Sequence, residues 1–116
     1  MYTYIKKTKY TSARRGGKKM RTNYQMMNEL NNEYTPKQRG IVSMSEIYKI
    51  NEALELDKRD VLDLRNLRDY VCLYYYIKGD TLNDENRIEE MLVEFDKCSA
   101  VTAVIDQKIA NKGGEI

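Results

Sequence analysis

The stretch Tyr70-Val71-Cys72-Leu73-Tyr74-Tyr75-Tyr76-Ile77 decides how this sequence is read. Its aromatic and β-branched residues favour a strand. Yet Val61, Leu64, Leu67, Val71 and Tyr74 run into it at spacings of three and four, the stripe of a helix with one buried face. No break signal interrupts that stripe before Lys78-Gly79. The spacing therefore predicts a helix, with 70–77 the one segment where a strand stays open as the alternative. Asp57 is the expected cap of this helix, and Asp60 in its first turn would suit the helix dipole.

Upstream, Ser43-Met44-Ser45-Glu46 and Thr22-Asn23-Tyr24-Gln25 both read as capping boxes, in which hydroxyl and N3 side chain satisfy each other's backbone amides. The first opens a helix running to about Leu56, with Met44, Ile47, Ile50 and Leu54 on one face. The second opens a mostly polar helix carrying Tyr24, Met27, Leu30 and Tyr34 and ending at Thr35-Pro36. Downstream, Lys78-Gly79 is the expected break and Thr81-Leu82-Asn83-Asp84 the next cap. Ile88, Met91, Leu92, Phe95, Cys98, Thr102, Ile105 and Ile109 then continue at helical spacing. Acids crowd the start of this run, Lys108 and Lys112 its end, and Gly113-Gly114 follows. Such a helix is roughly 40 Å long, more than a compact domain of this size needs, so part of it is expected to pack on a partner, for instance in a homodimer. The fold class expected is all-α, about four helices including a long C-terminal one. The organisation expected is a flexible basic arm over 1–21, a helical domain over 22–112 and a tail over 113–116.

Composition narrows the chemistry. Of 116 residues, 25 are Leu, Ile, Val or Phe, which is close to the level at which a highly charged chain stays disordered. Ten Tyr residues bring a small core within reach. The apolar run at 70–77 is far short of the roughly 20 residues a bilayer span requires, so no membrane association is expected. A basic N-terminus with no apolar stretch behind it does not suggest a secretory signal. There is no His, and two Cys are too few for a structural zinc site. Cys72 and Cys98 read as reduced, small core residues. No phosphate-binding glycine loop or serine nucleophile motif is present. The expectation is a non-enzymatic protein with no metal and no small-molecule cofactor.

Charge is strongly partitioned. Residues 1–22 hold eight cations and no acid, a charge of +8, whereas the rest holds 12 cations and 18 acids, a charge of −6. The arm cannot bury enough surface to fold alone. Lys6, Lys7, Lys9, Arg14, Arg15, Lys18, Lys19 and Arg21 can displace counterions from a nucleic-acid backbone, and the ring of Tyr10 can stack on an unpaired base. These nine residues are the candidate nucleic-acid-binding site; an acidic protein surface is the alternative ligand. Residues 44–68 have the apolar outline of a helix-turn-helix, but Glu55 stands where the turn usually has Gly, and the second helix is electrically neutral. Acids such as Glu89, Glu90 and Glu94 fit a solvated helix start, and also a surface that imitates a phosphate backbone.

Tyr10-Thr11-Ser12-Ala13-Arg14-Arg15-Gly16-Gly17-Lys18-Lys19, followed by a capped polar helix, resembles the start of small type II anti-CRISPR proteins from phages and mobile elements. The likeness covers about 30 residues, and the family shares no single fold that could be carried over. The resemblance implies inhibition of an RNA-guided nuclease in the bacterial cytoplasm, with RNA or a CRISPR ribonucleoprotein as partner. Physically, an acidic body could enter the basic channel of such a nuclease while the arm engages RNA. A helix-turn-helix-like nucleic-acid-binding regulator and a purely protein-binding helical adaptor are the competing readings.

Limited proteolysis should cleave within 1–20 first and leave a helical fragment spanning 22–112. A circular dichroism spectrum dominated by strand would contradict the helical reading of 70–77.

Overall fold

The structure, a computed structural model, describes residues 21–113. Among these, four α-helices follow one another: α1 (Asn23–Glu33), α2 (Met44–Ala53), α3 (Val61–Asp84) and α4 (Ile88–Asn111), with a 3-10 turn at Leu56–Lys58. No strand occurs among the described residues; one isolated bridge pairs Gln38 with Ile41 in the α1–α2 loop. The 70–77 segment is helix throughout.

Both capping boxes form. Thr22 accepts from the Gln25 amide at 3.1 Å, and Gln25 returns to the Thr22 amide at 2.8 Å. Ser43 and Glu46 do the same for α2. Other boundaries differ from the sequence expectation. Asp60, not Asp57, caps α3, accepting from the Asp63 amide at 2.8 Å. The α2 helix stops at Ala53 instead of reaching Leu56, because Glu55 turns left-handed (φ 54°). Met44 and Tyr24 stand in solvent, off the faces assigned to them.

The largest correction concerns Lys78-Gly79 and Thr81. Neither ends or starts a helix: α3 runs through both to Asp84. A glycine inside a helix costs only about 1 kcal/mol relative to alanine, too little to break a helix held by tertiary packing. The stop comes at Asn86, which takes the left-handed conformation (φ 60°) tolerated by Asn. The Asn86 and Arg87 amides then close onto the Asn83 and Leu82 carbonyls at 3.0 and 2.8 Å, a Schellman ending.

The three residues Glu85, Asn86 and Arg87 thus join two 24-residue helices into an antiparallel hairpin. Gly79 is buried against Phe95; a Cβ there would come within 2.6 Å of the ring's Cζ. Farther along the pair, Arg68 binds Asp106. These two contacts fix the register. Leu64, Leu67, Val71 and Tyr75 from α3 meet Val101, Ile105 and Ile109 from α4, all buried. Met27 and Leu30 of α1, Ile50 of α2 and the following Leu54 and Leu56 complete the same core. The shorter helices lie against one face of the hairpin, α1 through Tyr74 and Asn28, α2 beside Val104.

Gly79→Ala should destabilise the fold by about 1–3 kcal/mol, the usual range for overpacking. In a Phe95→Ala background the same change should instead stabilise by about 1 kcal/mol through helix propensity. Urea midpoints of the four proteins measure both effects; equal effects in the two backgrounds would show that the ring does not set the helix separation.

Candidate functional site

Of the nine candidate nucleic-acid contacts, Lys6, Lys7, Lys9, Tyr10, Arg14, Arg15, Lys18 and Lys19 lie outside the described residues. The ninth, Arg21, binds Glu29 and reaches Glu55 at 3.6 Å. It sits on the wall of an open cleft of about 770 Å³ between α1, α2 and the 3-10 turn. Five acids (Glu29, Glu33, Glu52, Glu55 and Asp57) and three cations (Arg21, Lys49 and Lys58) line it. Asp57 is also tied by Lys108 of α4 and by the Asn51 amide at 3.1 Å, and these partners hold its carboxyl below the usual range. These groups stitch the surface together, and in the same cleft the Tyr48 hydroxyl donates to Glu52 at 3.2 Å. Among the described residues, no cluster of ligating side chains could hold a metal ion.

A different surface was not marked out by the sequence. The far half of the hairpin extends past α1 and α2. On α3, Leu73, Tyr76 and Ile77 are more than half exposed; on α4, Ile88, Leu92 and Phe95 are about two-fifths exposed. At helical spacing, Tyr76 and Phe95 flank the α3–α4 seam on the side away from the short helices. The rim of this apolar face is acidic. Across 80–90 there are five acids (Asp80, Asp84, Glu85, Glu89 and Glu90) against Arg87. Arg87 is itself clamped by Glu85 at 2.8 Å and by Glu90. The nearby Lys78 ammonium lies 5.2 Å from the Tyr74 ring centre, turned back over the hairpin. The α4 stripe read from sequence is therefore core from Cys98 onward and surface before it.

Two charged side chains that the sequence placed on no core face are buried. Glu46 accepts from the Tyr34 hydroxyl at 2.8 Å, and from the Ser43 amide and hydroxyl at 3.1 and 2.8 Å. The Ser43 amide leads the contacts that lower its pKa. Lys97 donates to the Asn31 carbonyl at 3.1 Å and pairs with Glu94 at 3.2 Å. Glu94 in turn accepts from the Asn31 side chain at 3.2 Å, so this group of three pins α1 to α4.

Burial raises the pKa of Tyr70, Tyr74 and Tyr75 in the hairpin and of Tyr34 at the end of α1. Burial pushes Tyr74 up to about 12 and pushes Tyr75 and Tyr34 higher still. Tyr75 is fully buried, and its hydroxyl has no hydrogen-bond partner.

Comparison with known proteins finds no family model, no curated protein and no solved structure that matches the chain.

Stability should be complete below pH ~10, where unfolded tyrosine ionises, and should fall as pH rises further, because the fold keeps these phenols protonated. Part of the tyrosinate absorbance should then appear only together with loss of helix. Tyr75→Phe, which removes an unsatisfied buried hydroxyl, should stabilise by about 1 kcal/mol and shift alkaline unfolding to higher pH. A destabilised Tyr75→Phe variant in urea titrations would mean the hydroxyl has a partner.

Proposed function

We propose that this chain is a non-enzymatic inhibitor that binds a ribonucleoprotein and blocks an RNA-guided CRISPR nuclease. The observation that carries the reading is the hairpin tip, an acidic shaft with an apolar face that α1 and α2 leave uncovered. Nucleases of this class hold nucleic acid in a basic channel. Acids at the tip would meet the channel's cations, and Leu73, Tyr76, Ile77, Leu92 and Phe95 would supply the desolvated centre that gives a protein interface its strength. The basic arm would engage RNA phosphates in the same complex. The partition of charge, +8 against −6, suits a target that presents both signs.

The helix-turn-helix reading draws some support from Glu55, which adopts the left-handed geometry usual for the turn glycine. Against it, residues 54–60 make a longer connection than the usual three or four residues. Two cations near the start of α3 are also engaged internally: Arg59 with the Leu54 carbonyl and Asp63, and Arg68 with Asp106.

Two sets of variants separate the halves of the proposal. Replacing Arg14, Arg15, Lys18 and Lys19 by Ala should flatten the salt dependence of binding to single-stranded RNA by roughly three units of slope, at roughly 0.7 per phosphate. Replacing Leu73, Tyr76 and Leu92 by Ser, all on exposed positions, should abolish inhibition of target cleavage while RNA binding persists. If wild type binds a nuclease-digested partner as well as the intact one, and the arm variant is equally weak on both, the arm reads protein. Full inhibition by the tip variant would remove the hairpin from the interface.

A further inference from the structure

We propose that Cys72 and Cys98 are a modification site, a dithiol that closes to an intrachain disulfide across the seam between α3 and α4. These are the only two cysteines of the chain, and both are half-buried free thiols. Two contacts locate them. Arg68, Cys72 and Gly79 follow at four and seven residues, so they lie along one edge of α3. Phe95, Cys98, Thr102 and Asp106 follow at three, four and four along one edge of α4. Gly79 meets Phe95 on one side, and Arg68 binds Asp106 on the other. Both thiols therefore sit on the same line of the seam, between two points where the helices touch.

The neighbourhood brings the thiols together. Gly79, two turns beyond Cys72 on the same edge, has no side chain to hold the helices apart. The Cys98 thiol is pushed up to about 11, first by burial and then by the adjacent Cys72 sulfur, with the Arg68 cation pulling the other way. That mutual influence is the electrostatic counterpart of the placement drawn from the register. Cys98 also packs on the core, so its position is held by its neighbours, and the Thr102 hydroxyl donates to its carbonyl at 2.8 Å.

A peroxide is the chemical class of oxidant. One sulfur attacks peroxide oxygen: an S–O bond forms as the O–O bond breaks, and the released hydroxide takes that thiol's proton and leaves as water. The second sulfur attacks the resulting sulfenic acid; the S–S bond forms, the S–O bond breaks, and the departing hydroxide takes the second thiol's proton as water. Two thiols and one peroxide give one disulfide and two waters. The product would lock α3 to α4 midway along the hairpin, beside the base of the exposed apolar face.

The test treats the full-length folded protein with hydrogen peroxide, followed by intact-mass analysis, non-reducing peptide mapping and thermal melting. The expected product has lost two hydrogens, contains a peptide pair linking positions 72 and 98, and melts roughly 5 °C or more higher, as a cross-linked loop should. Dithiothreitol should reverse all three changes. Cys72→Ser and Cys98→Ser should each show none of them, and in a glutathione redox buffer the wild-type link should be more stable in the folded protein than in guanidinium, because a disulfide that stabilises the fold is itself stabilised by the fold. Oxygen addition without a cross-link, disulfide-joined dimers as the main product, or a link no more stable folded than unfolded would each overturn the proposal.

Discussion

The close approach of α3 and α4 is the constraint from which the rest of the structure follows. Gly79 lets the Phe95 ring lie against the α3 backbone, and Arg68 with Asp106 holds the other half of the pair in register. Only with that register do Leu67, Val71 and Tyr75 face Val101 and Ile105. A one-turn slip would break the Arg68–Asp106 pair and put Phe95 against a side chain. The Schellman ending at Asn86 matters for the same reason, because it allows the chain to reverse in three residues. The short helices then add to a hairpin whose geometry is already set.

Buried charge fastens those additions. Burying a carboxylate or an ammonium is costly unless every polar atom finds a partner. Glu46 collects Tyr34, the Ser43 amide and the Ser43 hydroxyl, and so closes the ten-residue connection between α1 and α2 onto itself. Lys97 and Glu94 clasp Asn31 from both its carbonyl and its side chain. Removing one member leaves the others buried and unpaired, so these groups specify where α1 and α2 sit more than they add to stability. The orphaned Tyr75 hydroxyl has no such compensation, and the Oδ1 atoms of Asn31 and Asn51 are also buried without a partner.

Much of this was legible in the residues. The two capping boxes are local chemistry, complete within four residues, and they mark α1 and α2 correctly. The stripe through Val61, Leu64, Leu67, Val71 and Tyr74 was strong enough to outweigh the β-propensity of 70–77. What failed depended on distant partners. Gly79 reads as a stop because nothing in its neighbourhood announces Phe95, sixteen positions on. The real stop, Asn86, carries a weaker local signal than a Lys-Gly pair. Glu46 and Lys97 look like surface residues until Tyr34 and Asn31 are brought beside them by the fold. The candidate contacts of the arm fall outside the described residues except for Arg21, whose pairing with Glu29 and Glu55 was not readable from charge clustering. The hairpin tip was hidden for another reason: a helical stripe looks the same whether a neighbour covers it or not.

That uncovered half is a consequence of length. Helices of 24 residues extend roughly 36 Å, whereas α1 and α2, at 11 and 10 residues, each reach about half as far. Two such short elements, α1 drawn to one face by the Lys97 and Tyr74 contacts and α2 lying beside Val104, cannot also cover the tip. The apolar side chains there are then exposed by geometry, and the surrounding acids decide what can approach them. A second copy would bring the same face and the same acids, opposing like charges around a shared apolar centre. A partner carrying cations around an apolar patch would gain from both terms at once. On the proposed function, the charge of the tip would oppose a second copy and favour a basic surface, the same preference that a phosphate backbone would show.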